Sequence, residues 1–243
     1  MTMLAPPLPE RVRTLAAVAV PTHVSSCGSA RPATRIAGGV DREGRPVLLA
    51  VPGHHLHGAP DGLEVTVDLV AHRQVGTAHR PRGMLKARGR LEPVPPREAR
   101  HAAVAVAEHY ADEALFEVIE RPDDPHAPRL LRLVPEQVTY LIGRESGTLD
   151  GDDYLAASPD PLIEPAERIL RHVNARHIAP LRGAVTRLAG PVEGEVWLWE
   201  LDRFGATVRV GLDDPILLRL PWPRPAATRL ELELSLHQVL YHP

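Results

Sequence analysis

The spacing of apolar positions changes along the chain, and the changes mark out its elements. Residues 1–9 are Pro-rich, without periodicity, and expected to be loosely laid down or disordered. Glu10–Val20 then puts Val12, Leu15, Ala16 and Ala19 on one side at helical spacing. Strand spacing follows. Ala33–Val40 and Pro46–Val51 flank a compact Asp41–Gly44 turn, and Leu63–Val70 alternates with Leu63, Val65, Val67 and Leu69 on one face. Met84–Leu91 is a further strand, and Arg97–Val118, entered through Pro95-Pro96, reads as one long helix. Arg129–Val134 and Gln137–Ile142 read as two strands around Pro135-Glu136. Short strands with a single inserted helix favour a small closed barrel over a parallel sheet.

The segment from Ser146 is rich in Gly, Asp and Pro, which places a linker at 146–159 between a domain at 10–145 and another at 160–243. The second domain opens with a helix from Pro165 to Ala175 or beyond and continues with a helical piece to Leu188. A hairpin, Glu195–Leu201 with Ala206–Gly211, and a strand at Ile216–Leu220 come next. The tail Thr228–Leu240 fits either period: LELEL alternates like a strand, while Leu232, Leu236, Val239 and Leu240 fit a helix.

Composition narrows the function classes. Of 243 residues, 44% are hydrophobic but only 4% aromatic, so the core must be aliphatic. Net charge is −3 and no basic block stands out, which argues against nucleic acid as a partner. The N-terminal apolar run, Leu15–Val20, is too brief for a secretory core or a membrane span, so a cytoplasmic protein with no membrane partner is expected. A single cysteine, Cys27, excludes an intrachain disulfide and reads as a packing residue. P-loop, GxGxxG, nucleophile-elbow and HExxH motifs are absent.

Candidate chemistry gathers on histidine. ERILRHVNARHIAPL (167–181) carries His172 and His177 around Asn174, the chain's one asparagine. Five residues apart on a continuous helix, the two rings diverge by about 140° and could not share a metal. A helix break at Asn174, with the amide as a cap, would free that angle. The HHLH run at 54–57, read as a strand, puts His55 and His57 on one face; a solvated loop is the plainer reading. His79 is flanked by Arg80 and Arg82, which suits a phosphate or propionate. His237 and His242 are further axial-ligand candidates, and Trp197 and Trp199 read as packing.

His172-Val-Asn174-Ala-Arg-His177 resembles the HMN-x-x-H signature of a C-terminal domain in HugZ-like haem-utilisation proteins, and LDRFGATVRV with LLRLPWPRPAATRLELELSLHQVL is similar to that domain's hairpin and closing helix. ERVRTLAAVA…VDREGRPVLLAV and LLRLVPEQVTYLIG…LDGDDYLAASPDPL resemble the pyridoxamine 5′-phosphate oxidase-like split barrel. The resemblance spans most of residues 10–240. It implies an α+β chain: a six-stranded FMN-binding-type split barrel, then a small domain of helices and a three-stranded antiparallel sheet, with a helical tail. It implies a homodimer binding haem or FMN, and an oxidoreductase where the members are enzymes. His57 carries over as the barrel histidine, and His172, Asn174 and His177 as the C-terminal set, the two histidines being the haem-iron ligands. Arg35 and Thr34, with Arg80 and Arg82, are the candidate FMN-phosphate contacts.

Departures from the family pattern are plain. Arg176 and Ala179 stand where acids flank the second signature histidine, removing the expected orienting carboxylate. Gly58 replaces a threonine after His57, and Gly143-Arg-Glu-Ser-Gly147 replaces a Gly-Phe-Gly element. Three readings stand: a haem-binding protein of the HugZ type, degrading or trafficking haem; an FMN-dependent oxidoreductase; and a cofactor-free regulatory protein on the same scaffold.

Overall fold

The computed structural model describes residues 5–28, 31–122 and 124–241. After helix α1 (Leu8–Ala16) the chain forms β1 (Val20–Ser26), β2 (Thr34–Arg35), β3 (Ala37–Val40), β4 (Pro46–Ala50), β5 (Glu64–Val75) and β6 (Ala78–Pro93). Helices α2 (Pro96–Ala107) and α3 (Ala114–Glu120) precede β7 (Arg129–Ile142), β8 (Glu145–Asp150) and α4 (Gly151–Ala156). The remainder is α5 (Ile163–Arg176), α6 (Ile178–Ala189), β9 (Val196–Asp202), β10 (Gly205–Val210), β11 (Ile216–Pro221) and α7 (Arg229–Tyr241). The fold is α+β. The chain divides into two compact units: residues 12–72 with 80–159, and residues 160–243 with 73–79 and the chain up to Arg11.

The first unit is a nearly closed antiparallel barrel with strand order β2-β1-β5-β6-β7-β4-β3, β8 adding to β7. The ends of this order meet because one residue, Ile36, separates β2 from β3, and its N–H bonds back to the Thr22 carbonyl on β1 at 3.3 Å. Alternation fills the interior with Val65, Val67, Leu69, Leu85, Ala87 and Leu91. β4 is buried on both faces because α2 and α3 pack Ala99, Ala102, Val106 and Leu115 against Val47 and Leu49. That double burial explains its unbroken apolar run. Gly44 takes φ +88° in the β3–β4 turn, as expected of a glycine there.

Three sequence expectations need correcting in this unit. The long helix expected over Arg97–Val118 is two, because its buried stripe (Ala99, Ala102, Ala103, Val106) runs out at exposed Tyr110. Asp112 Oδ1 then accepts the Ala114 N–H at 2.9 Å and starts α3. Pro135 does not separate two strands. β7 runs through it with a bulge, Gly89 pairing Pro135 and Arg88 pairing Gln137, so Glu136 is the extra residue and no ladder bond is asked of the proline. The expected linker holds β8 and α4: Tyr154 of α4 is buried and donates to the Gly44 carbonyl at 2.6 Å, while buried Arg13 donates to the Ala157 carbonyl at 3.0 Å.

In the other unit a three-stranded antiparallel sheet, order β11-β10-β9, lays Val196, Leu198, Ala206 and Val208 against Leu170, Val173, Leu181 and Val185 of α5 and α6 and Leu232, Leu236 and Leu240 of α7. Each fully buried leucine is worth roughly 1.5–3 kcal/mol. The ambiguous tail is therefore a helix, its leucines burying every fourth residue. Trp197 and Trp199 face the other way and cluster with Val75. The guanidinium of buried Arg73 donates to the Trp199 carbonyl and the Glu167 carboxylate, and Arg209 lies 4.9 Å from the centre of the Trp199 ring.

Candidate functional site

The histidine signature sits where α5 gives way to α6. α5 is amphipathic, burying Ala166, Leu170 and Val173 and turning His172 to solvent. The helix does not break at Asn174. It continues to Arg176, and His177 (φ −127°, ψ 30°) is the joint, its N–H held by the Val173 carbonyl at 2.8 Å and its carbonyl by the Leu181 N–H at 3.0 Å. Pro180 falls in the first turn of α6, where its missing N–H costs nothing.

Asn174 has a different task from the expected cap. Its Nδ2 donates to the Leu198 carbonyl at 2.9 Å and its Oδ1 accepts the Leu198 N–H at 2.8 Å. Leu198 lies on β9, an edge strand, and both its backbone groups point away from the sheet. A primary amide is one donor and one acceptor on a planar frame, so Asn174 completes the edge as another strand's peptide would. No other side chain offers that pair at so short a reach from α5; Gln is one methylene longer.

The turn at His177 swings its ring towards His172. The two Nε2 atoms are 3.1 Å apart, the ring centroids 4.9 Å, and the rings are tilted by 57°. One Nε2 carries a proton and the other accepts it. Tyr241, at the end of α7, sets its Oη 3.0 Å from His177 Nδ1, and the His237 ring lies 4.7 Å from the Tyr241 ring. His172 is exposed and His177 half-buried. Tyr241 is the member that sequence reasoning missed; it lies 64 residues from His177, and a tyrosine at a chain end carries no motif. It supplies the orienting group that Arg176 and Ala179 do not. His242 lies outside the described residues.

The barrel candidates are arranged otherwise. HHLH is a run of turns, with the His54 N–H bonded to the Val51 carbonyl at 3.0 Å and the His57 N–H to the His54 carbonyl at 2.9 Å, so strand alternation does not apply. His57 Nε2 meets the Ala127 carbonyl at 2.8 Å, which makes that nitrogen the protonated one. His54 Nδ1 accepts the Leu56 N–H at 3.3 Å, His54 Nε2 lies 3.2 Å from Thr34 Oγ1, and that hydroxyl lies 3.3 Å from His55 Nδ1. The chain of donors therefore runs Leu56 N–H, His54 Nε2–H, Thr34 O–H, His55, with both imidazoles neutral. Burial holds His54 below the usual imidazole range, reinforced by His55; burial and then Arg31 do the same for His55.

Arg35 is exposed on β2, opposite His23 of β1. Arg80 and Arg82 share one face of β6, with His79 on the other parity. β1 and β5 intervene between β2 and β6, so Arg35 stands three strand spacings, roughly 14 Å along the sheet, from the β6 pair. Arg35, His57, Arg80 and Arg82 lie in the barrel unit; His79, His172, Asn174 and His177 lie in the other. Among the described residues no group of three or more His, Cys, Asp or Glu gathers as a metal site. A haem iron needs less, one or two imidazoles; at this pair the Nε2 atoms of His172 and His177 face one another and His177 Nδ1 faces Tyr241.

No family model matches the chain. Over 115 residues, 46% of the chain, it is 30% identical to a non-canonical heme oxygenase, HOZ, of the Arabidopsis thaliana chloroplast, and the match covers 35% of that protein, about a third of its length. A heme binding protein from Mycobacterium smegmatis has the same fold: TM-score 0.61 at 21% identity, over 98% of this chain and 97% of that one. A FAD and heme binding protein from the same organism aligns over 58% of this chain and 80% of its own, with TM-score 0.39 and 15% identity. This is a split-barrel α+β chain, its fold shared with that heme binding protein.

Proposed function

We propose that this protein binds haem in the manner of HugZ-type split-barrel proteins, at the His172–His177 pair with one of its imidazoles on the iron, and that it degrades or carries haem. The observation that carries the reading is the surface-accessible imidazole pair whose inner ring is oriented by Tyr241. The stretch shared with the chloroplast heme oxygenase supports it. Bound haem would supply dioxygen chemistry at its iron. The chain's own residues would ligate the iron with a neutral imidazole and orient that imidazole. Homodimer assembly belongs to the same proposal. Met84 and Leu141 are cross-strand partners on the barrel's outer wall, exposed by 45% and 46%, and give it an apolar patch. So does a cytoplasmic setting; among the described residues no helix is long and apolar enough to cross a membrane.

The second reading, an FMN-dependent oxidoreductase, is favoured by Arg80 and Arg82 presenting two guanidinium groups on one face of β6. Titration of the purified protein with haemin and with FMN separates the readings. A Soret band that sharpens and shifts to saturation at one haemin per chain is expected. Flavin absorbance that stays with the protein through gel filtration would instead support FMN, and retention of neither would support the cofactor-free reading.

A further inference from the structure

Resting on the haem reading, we propose a division of labour in the cluster: His177 is the iron ligand through Nε2, Tyr241 is its positioning residue, and His172 is a displaceable partner rather than a second ligand. The two nitrogens of His177 have unlike neighbours. Nδ1 faces the Tyr241 hydroxyl at 3.0 Å, and Nε2 faces His172 Nε2 at 3.1 Å. A ligating imidazole offers one lone pair while its other nitrogen gives a proton to an oriented acceptor. Tyr241 Oη has lone pairs for that proton. The resulting tautomer leaves His177 Nε2 as the acceptor and makes His172 the donor.

Rigidity points the same way. His177 is pinned at both backbone groups, by Val173 and by Leu181, as His172 is within α5, and its ring is held besides by Tyr241. The Tyr241 phenol is braced by the His237 ring, tilted by 36° at 4.7 Å. His172 projects from the exposed face of α5, and the ring contact shown for it is His177 itself. If His172 ligated through Nε2, it would give up that contact, and among the described residues none orients its other nitrogen. Iron at His177 costs only an exposed hydrogen bond whose donor can turn to water. Two-histidine chelation would require both lone pairs to converge, whereas here the two Nε2 atoms face one another across a shared proton.

Nitrogen-15 NMR of the haem-free protein tests the geometry, and haemin titration of variants tests the role. The wild type should show His177 protonated at Nδ1 and bare at Nε2, and Tyr241→Phe should convert it to a mixture of tautomers. Tyr241→Phe removes only a hydroxyl from a residue 43% exposed, so its fold is expected to persist. On titration His177→Ala should lose the imidazole-ligated Soret band, and Tyr241→Phe should keep it with about tenfold weaker binding. His172→Ala should keep it with binding as tight as the wild type or tighter. Protonation of His177 at Nε2 in the wild type, or a Soret band that survives His177→Ala and vanishes in His172→Ala, overturns the assignment while leaving haem binding intact. A wild type that gives no Soret shift at all removes the haem reading and the ligand role with it.

Discussion

The two histidine-rich regions differ in where their ring nitrogens are spent. In the barrel turn, His54, His55 and His57 give theirs to fixed partners: a threonine hydroxyl, the Leu56 N–H and the Ala127 carbonyl. At the α5–α6 joint the inner ring gives one nitrogen to a phenol, and the other meets only another imidazole on the surface. HHLH has more histidines in fewer residues, and its rings are tied to a hydroxyl and to backbone groups. The sparser signature instead sets ring against ring at the surface, with the inner ring held through Nδ1 by a phenol.

This contrast can be broken most forcefully at Asn174. Replacing it with Leu strands the Leu198 N–H and carbonyl at the edge of β9, a loss of about 2–4 kcal/mol. Urea unfolding should show it, and a change under 0.5 kcal/mol would mean that the edge bonds contribute nothing net. Thr228→Ala is next. Thr228 Oγ1 accepts the Glu231 N–H at 3.2 Å and Glu231 Oε2 accepts the Thr228 N–H at 3.3 Å, a capping box at the start of the helix that carries Tyr241. Its loss should cost about 1 kcal/mol by the same measurement. His57→Ala should cost a similar or smaller amount, from one hydrogen bond, and leave any haemin spectrum unchanged.

The smallest expected effect is on pH dependence. His54 and His55 have folded-state pKa values below the 6.5 of a free imidazole, so the folded protein binds fewer protons than the unfolded chain once pH falls below that value. Stability should therefore be unaffected by these groups above about pH 7 and decline as pH drops through 6.5. The urea midpoint measured from pH 7.5 to 5.5 should fall less steeply in His54→Gln; an unchanged slope would show that the turn does not resist protonation.

Much of the barrel was legible because alternation is a local signal: Val65, Val67 and Leu69 declare an inner face within one strand. Features set by distant partners were not. Pro135 reads as a break until β6 is beside it and a bulge absorbs it. The joint at His177 was expected at Asn174, because asparagine commonly stops helices and nothing in the sequence shows that this amide is needed by an edge strand 24 residues on. The capping box before α7 was present as Thr-Arg-Leu-Glu and would have settled the ambiguous tail from residues alone. Tyr241 could not have been found that way, since its role exists only once α7 has packed on α6.

The central claim is that the histidine pair at the α5–α6 joint, not the barrel histidines, meets the iron. Resonance Raman spectroscopy of the reduced haemin complex tests it most directly, comparing the iron–imidazole stretch in the wild type, His177→Ala and His57→Ala. The stretch should be present in the wild type and in His57→Ala and absent in His177→Ala. A stretch that persists in His177→Ala and disappears in His57→Ala would contradict the account.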